Sequence, residues 1–547
     1  MSPSRERWLP PSYGIQIFRS RVPPLPPFFP MSPMANPHPP LVRLVVPFAL
    51  SLLLLAGGCA PPAPATPSPA PAVTTPAEVA EARITADAVF EHVAYLASDE
   101  MRGRDTPSPE LEEAARYIAA HFEELGLTPA GGDGTFIQRW PFTRLAMDPA
   151  VTRAGFSGPD ASAAWEYGRD FFGVPGAPAP VSGTPVYATD PASAAAGLPA
   201  ETQGNPLVVF LPEGFGPDLI LAVQAGMQAG ASGLILIMDE ETGAGDIHQI
   251  AAAMEGGAAG QLPIPTIGIR MDLGDELLRS AGVEPRSGPD PPAVLEGVTV
   301  ELHLGFEPTT TEVPNVVALL RGSDPELRET HVVVTAHFDH VGVGPPDERG
   351  DSIYNGADDN ASGTAALMEI AAAFAALPEA PARSIIFLAV SGEEKGLLGA
   401  DWYANNPTVP EGSMVANLNM DMVGRNHPDT IIAIGEEFSD IGERVRAVAA
   451  AHPELGLVVA PDPEPEEQAF LRSDHFSFVQ QGIPALFLTT WLHDEYHQPS
   501  DQAHLIDADK LARVARLGFL LVHQMAEDPV VPEWNEAGRE LLRSLSP

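Results

Sequence analysis

The sequence predicts an α/β fold built on a mixed, largely parallel sheet flanked by helices, with a smaller inserted domain. Three observations carry that expectation. The runs His331–Ala336, Ser384–Val390, Val415–Met420 and Ala485–Thr489 are short and apolar or β-branched, the pattern of strands buried on both faces. An alanine-rich helix at Ala361–Leu377 separates the first two, and strands alternating with helices imply a sheet with a substantial parallel portion. Between about Phe172 and Pro292 lies a segment with its own pattern: a strand at Pro206–Leu211, a helix at Leu219–Ala229 and a strand at Gly233–Met238. It reads as an inserted α/β or β-rich module.

The elements before the sheet follow from composition. A chain of 547 residues exceeds what one hydrophobic core usually serves, so two or three domains are expected. Arg43 precedes an apolar stretch from Leu44 to Leu55, and Ala56, Gly57 and Gly58 lead into Cys59, the single cysteine. That order of basic, apolar and small segments is a secretory signal. The run is short and contains Pro47, so a cleaved signal is expected rather than a lasting transmembrane helix. The segment resembles a bacterial lipoprotein signal, which implies lipidation of Cys59 and anchorage of an exported protein to the cell envelope. Residues 1–58 form this signal region, with translation expected to start at Met31 or Met34. Residues 59–83, almost entirely Pro, Ala, Thr and Ser over most of their length, read as an extended tether. Glu110 to Leu125 has helical periodicity and ends at Gly126, and is expected to be the first helix of the globular part. The body then divides into 84–171, an insert at 172–292, and 293–547.

Charge narrows the function. The chain has 73 acidic against 30 basic side chains, a formal charge of -43, and such a surface repels a phosphate backbone, so nucleic acid is not an expected partner. One cysteine also excludes a disulfide framework and a thiolate zinc cage.

In a sheet with a parallel portion, ligand sites lie beyond the carboxyl ends of the strands. The polar residues gather there. His337 and Asp339 follow the first strand, Glu393 and Glu394 the second, and Asp421 the third; His497 lies beyond the last, and Asp358 and Asp359 precede the alanine-rich helix. Such a gathering is costly to desolvate unless a metal or water compensates it. Two histidines and three carboxylates suit two zinc ions sharing one carboxylate, an arrangement that activates water and polarises a carbonyl; a further carboxylate serves as general base.

The stretches His337-Phe338-Asp339-His340, Asn355-Gly356-Ala357-Asp358-Asp359-Asn360-Ala361-Ser362-Gly363, Ser391-Gly392-Glu393-Glu394, Asn419-Met420-Asp421-Met422 and Tyr496-His497 resemble the co-catalytic zinc aminopeptidase family that includes glutamate carboxypeptidases. The likeness runs from about Ile84 to about Glu527. It implies a zinc exopeptidase fold, two Zn2+ per chain and peptide substrates. By resemblance His337 and Asp421 bind one zinc, Glu394 and His497 the other, and Asp358 bridges them. Glu393 would be the base, Asp339 would orient His337, and the peptide between Asp358 and Asp359 would be cis. Asp474 and His475 would support the site. His340 could pack, hydrogen-bond or touch substrate. Arg425, Arg472 and Asp501 could bind substrate or form structural salt bridges. The insert resembles a protease-associated domain, notably at Gly230-Ala231-Ser232-Gly233-Leu234-Ile235.

Removal of N-terminal residues from peptides is the expected activity, because few basic residues near the motifs could clamp a terminal carboxylate. A carboxypeptidase of the same family, a one-zinc acyltransferase resembling glutaminyl cyclase, and a receptor-like binding module are the alternatives.

Overall fold

The computed structural model describes residues 75–174, 180–211, 217–238, 264–285, 291–410 and 412–545. The signal region, Cys59 and the first part of the tether lie outside the described residues. The last part of the expected tether is folded: helix α1 (Pro76–Glu81) opens on a capping box in which the Thr75 hydroxyl accepts from the Glu78 amide and the Glu78 carboxylate accepts from the Thr75 amide. Ala80 and Ile84 are buried in the main core. Two helices therefore precede the one expected first, α1 and α2 (Ala86–Leu96); α3 (Pro109–Glu124) follows, with Ser108 accepting at its N-cap.

The main sheet has nine strands: β1 (Thr128–Pro129), β2 (Ile137–Met147), β3 (Phe306–Leu320), β4 (His331–His337), β5 (Ser384–Val390), β6 (Met414–Met420), β7 (Thr430–Ile434), β8 (Val458–Ala460) and β9 (Ala485–Thr489). Their order is β1-β3-β5-β4-β6-β9-β7-β8, with β2 paired to the free length of β3. The centre, β5-β4-β6-β9, is parallel, and antiparallel pairings flank it. Strands β4 and β5 are buried along their whole length, as their unbroken apolar runs require. Helices α4 (Gly363–Ala375) and α5 (Ala508–Glu527) pack on each other and, with α2, close the core over the sheet.

Parallel register positions the site. His337 stands opposite Val390, and Thr335 opposite both Leu388 and Asn419, so β4, β5 and β6 end at nearly one level. Whatever follows them in sequence emerges at a common edge.

The second module is wider than the sequence suggested. Chain leaves the main sheet at Met147 and returns at Phe306. Between them lie a four-stranded antiparallel sheet (Arg153–Ser157, Ser162–Trp165, Pro180–Gly183, Thr299–His303) and a six-stranded sheet containing Pro206–Leu211 and Gly233–Met238. The expected limits at 172 and 292 cut through the first sheet, because its central strands 153–157 and 299–303 pair with each other. Those strands are short and alternate in burial, and pairing between distant segments is not readable from either alone.

Candidate metal centre

His337 is the last residue of β4 and is wholly buried. Its Nδ1 lies 3.2 Å from the Asp339 carbonyl oxygen. That contact places the proton on Nδ1 and leaves the Nε2 lone pair free. Nε2 stands 3.3 Å from an oxygen of Asp421 and 3.3 Å from Oδ1 of Asp359. The other oxygen of Asp359 lies 3.1 Å from His497 Nε2, which is 3.0 Å from Glu394. His340 completes this second group, its Nδ1 2.7 Å from the other Glu394 oxygen. Asp359 thus contributes one carboxylate oxygen to each group.

The spacing fits metal ions. Ligand atoms about 2.0–2.1 Å from a tetrahedral zinc stand roughly 3.3 Å apart, close to the separations found here. His337 Nε2, His497 Nε2 and Asp421 Oδ1 are buried and have no hydrogen-bond partner among the described residues. Buried polar atoms left unpaired and converging on common points are what an ion would satisfy.

The carboxylate between the groups is Asp359, not Asp358 as the resemblance implied. Asp358 accepts a hydrogen bond from the Gly424 amide at 2.7 Å and faces His493 at 3.4 Å, away from both groups. Adjacent residues in this loop point to different sides, and two consecutive aspartates give no local sign of which side is which. The cis peptide likewise falls one residue later, at Asp359–Asn360. Asn360 fastens the loop to β6, donating to the Met420 carbonyl and accepting from the Gly363 amide.

The remaining ligand candidates have orienting partners. Asp421 follows β6, and its second oxygen accepts from Ser473 at 2.8 Å; Asn419 donates to Ser473, and Thr335 donates to Asn419. This buried chain locks Asp421 to β4 and β6. Asp339 lies beside His337, but its carboxylate is 3.7 Å from Nδ1 and engages Thr106 and the Glu393 amide instead. It positions His337 mainly through its main-chain oxygen. His497 holds its place with φ 53°, in the left-handed region, and stacks on Tyr496.

The adjacent glutamates are driven apart electrostatically. Burial pushes the Glu393 carboxyl well above its ordinary range; His337 opposes this, while Glu394 and Asp421 reinforce it. Burial also works to raise Glu394, yet its contacts with His340 and His497 outweigh that and hold it at about 2. Opposite shifts on neighbouring carboxylates suit opposite tasks, one exchanging a proton and one staying anionic.

Several residues were invisible to sequence reasoning. Arg104, wholly buried, donates to the carbonyls of Leu96, Phe338, Asn355 and Gly356 and so ties the His337–His340 loop to the Asp359 loop. Nothing in its local sequence marks it. Asp501 accepts from the amides of Asp358 and Asp359, which makes it a loop clamp rather than a substrate contact. Arg425 pairs with Glu495 at 2.7 Å. Asp474 is buried near His337 and Asp421, while His475 is buried against Phe470 and Phe487, and neither belongs to a ligand set.

Two adjoining cavities open on the groups. One, about 540 Å³, is lined by Asp359, Glu393 and Asp421 with an apolar wall that includes Met422, Phe487 and Trp491. The other, about 1030 Å³, shares Glu393, Arg472 and Tyr496 with it. Neither is lined by a described residue of the second module.

Residues 315–522 match the profile of peptidase family M28, and every member of both groups falls inside that segment. That segment is what the chain shares with peptidase family M28. A probable zinc metalloprotease of Leptosphaeria maculans is 31% identical over 266 residues, covering 41% of this chain and 60% of that protein. Aminopeptidase YwaD of Bacillus subtilis is 24% identical over 318 residues, covering 56% of this chain and 59% of that protein. The chain thus spans about three fifths of the length of these curated relatives. The solved aminopeptidase from Aneurinibacillus sp. strain AM-1 superposes with a TM-score of 0.51 at 21% identity, covering 83% of this chain and 97% of that one, and shares its fold.

Proposed function

We propose that this chain is a member of peptidase family M28, a zinc-dependent exopeptidase that binds two Zn2+ and removes N-terminal residues from peptides. One observation carries the reading: Asp359 places one oxygen in each of two ligand groups. His337 and Asp421 would hold one ion, Glu394 and His497 the other, with His340 at Glu394 and Asp359 shared. A bound zinc pair supplies a Lewis acid for the scissile carbonyl and lowers the pKa of water. The relatives named as zinc metalloprotease and aminopeptidase support both the metal and the reaction class.

Glu393 opens on both cavities and is kept easily protonated by burial, so it takes a proton from the attacking water and returns it to the leaving amine. Tyr496 lines the same space and brings a hydroxyl donor of the kind that stabilises a developing oxyanion. The cavity lined by Asp359, Glu393 and Asp421 favours a protonated N-terminus beside an apolar side chain. Arg472, half-exposed, is the only cation lining it among the described residues, which favours amine over carboxylate recognition.

Hydrolysis of short peptides with free or blocked ends, with and without chelator, tests the reading. Zinc-dependent release of the first residue, abolished by acetylating the amine, is expected; cleavage only at a free carboxyl end would make it a carboxypeptidase, and no metal-dependent cleavage would revive the binding-module reading. Glu393→Gln should retain zinc yet lower turnover by about 10²–10⁴-fold. Near-normal turnover in that variant would remove Glu393 from the role.

The sequence around Cys59 supports a further part of the proposal, that the protein is exported and held to the bacterial envelope by a lipid on that cysteine. Among the described residues no helix is long and apolar enough to cross a membrane. Metabolic labelling with palmitate, lost in Cys59→Ala, is the expected result.

A further inference from the structure

Away from the two cavities, three helices bring a second set of metal-ligating side chains together. His92 comes from α2, His121 from α3 and Glu369 from α4. One ring nitrogen of each histidine and one Glu369 oxygen all lie within 4.8 Å of one another. His92 Nε2 is 3.2 Å from Glu369, and the two imidazoles meet edge to face with centroids 4.8 Å apart.

The surroundings resemble those of ligating imidazoles. His92 uses its other nitrogen against the Tyr117 hydroxyl at 2.7 Å, a group able to accept from Nδ1–H and leave Nε2 as a lone-pair donor. His121 has a ring nitrogen 3.3 Å from the Met368 carbonyl, next to Glu369 in sequence. Glu369 is 8% exposed, and among the described residues no arginine or lysine pairs with it. Glu369 has His92 rather than a permanent cation beside it, and a dication held between the carboxylate and the two imidazoles would compensate its buried charge. His121 is half-buried, which leaves an entry path on its side.

We infer that His92, His121 and Glu369 form an additional site for one divalent cation of the zinc class, separate from the pair of groups around Asp359. Two nitrogens and one carboxylate oxygen match the ligand types zinc takes, with a remaining position for water. An ion there staples α2 and α3 to α4, the helix that follows the Asp359 loop, so its effect is on stability rather than on the reaction.

Zinc-replete full-length protein is gel-filtered and its ions are counted by native mass spectrometry. Glu369→Gln and His121→Phe, the second keeping a ring in place, should each carry one zinc fewer than wild type. Peptide turnover should stay within about twofold, and Tm should fall. An unchanged ion count in folded variants overturns the inference. Should a variant not fold, anomalous diffraction at the zinc edge on wild-type crystals decides directly: a peak between His92, His121 and Glu369 supports the site, and its absence from zinc-soaked crystals refutes it. The count is a difference from wild type, so it stands or falls independently of the proposed function.

Discussion

The two ligand groups that share Asp359 are built differently. The His337 side is made by the sheet: His337 closes β4, Asp421 follows β6, and a buried chain through Ser473, Asn419 and Thr335 ties the carboxylate to both strands. The His497 side is made by loops. Its Glu394 follows β5 by four residues, and His497 is held by a left-handed backbone with its side chain 35% exposed, against 1% for His337. The difference teaches where rigidity comes from. In-register strands position one group directly, whereas the other depends on loops, and the Arg104 bonds tie the loop bearing His337 and His340 to the one bearing Asp359.

The most damaging change should be at the residue that joins the groups. Asp359→Asn is expected to lose both zinc ions and to lower turnover by about 10³-fold or more. If zinc content stays at the wild-type level, the shared-carboxylate geometry is wrong. Next comes the device that stitches the loops. Arg104→Met leaves four buried carbonyls without their donor and should cost about 3–5 kcal/mol, read as a lower urea midpoint. A change under about 1 kcal/mol would show that the loops hold themselves.

A smaller effect distinguishes the groups kinetically. A chelator should remove the ion on the His497 side about tenfold faster than the one on the His337 side, because second contacts and shielding favour the sheet-borne group. Biphasic release followed by stopped-flow is the measurement, and Asp421→Asn should erase the slow phase. Equal rates would dissolve the contrast.

Acid should weaken the fold through His475, which is buried against Phe470 and Phe487 two residues after Ser473. Burial pushes this imidazole down to about 3, so the folded state keeps it neutral. The stability it contributes is complete above about pH 6.5 and is lost as pH falls toward 3, at up to about 1.4 kcal/mol per pH unit. His475→Phe should flatten that part of the Tm-against-pH curve; a slope identical to wild type would exclude His475 as its source. The smallest effect is expected from Asp358→Asn, since an amide oxygen can still accept from Gly424. Zinc should be unchanged and turnover within about threefold. A loss as large as that of Asp359→Asn would return the shared role to Asp358.

Much of the centre was legible in the chain. Strands Ser384–Val390 and Ala485–Thr489 stand where unbroken apolar runs placed them, and His337, Glu393, Glu394 and Asp421 emerge at strand ends as the α/β pattern requires. A fully buried strand has to be apolar throughout, so it announces itself, and polar residues just beyond it stand out. The ribbon of β2 with β3 and the limits of the second module were not legible, because their partners are far apart in sequence.

By itself the sequence determined the sheet class, the residue types of the centre and the strand ends that bear them, since these follow from local periodicity and from chemistry. Only the tertiary structure decided that Asp359 rather than Asp358 faces both groups, that Asp501 clamps the loop, and that Arg104 joins two loops more than two hundred residues further on. The physical reason is the same in each case. Which way a side chain points in an irregular loop, and which carbonyls a buried guanidinium meets, depend on distant backbone, about which neighbouring residues carry no signal.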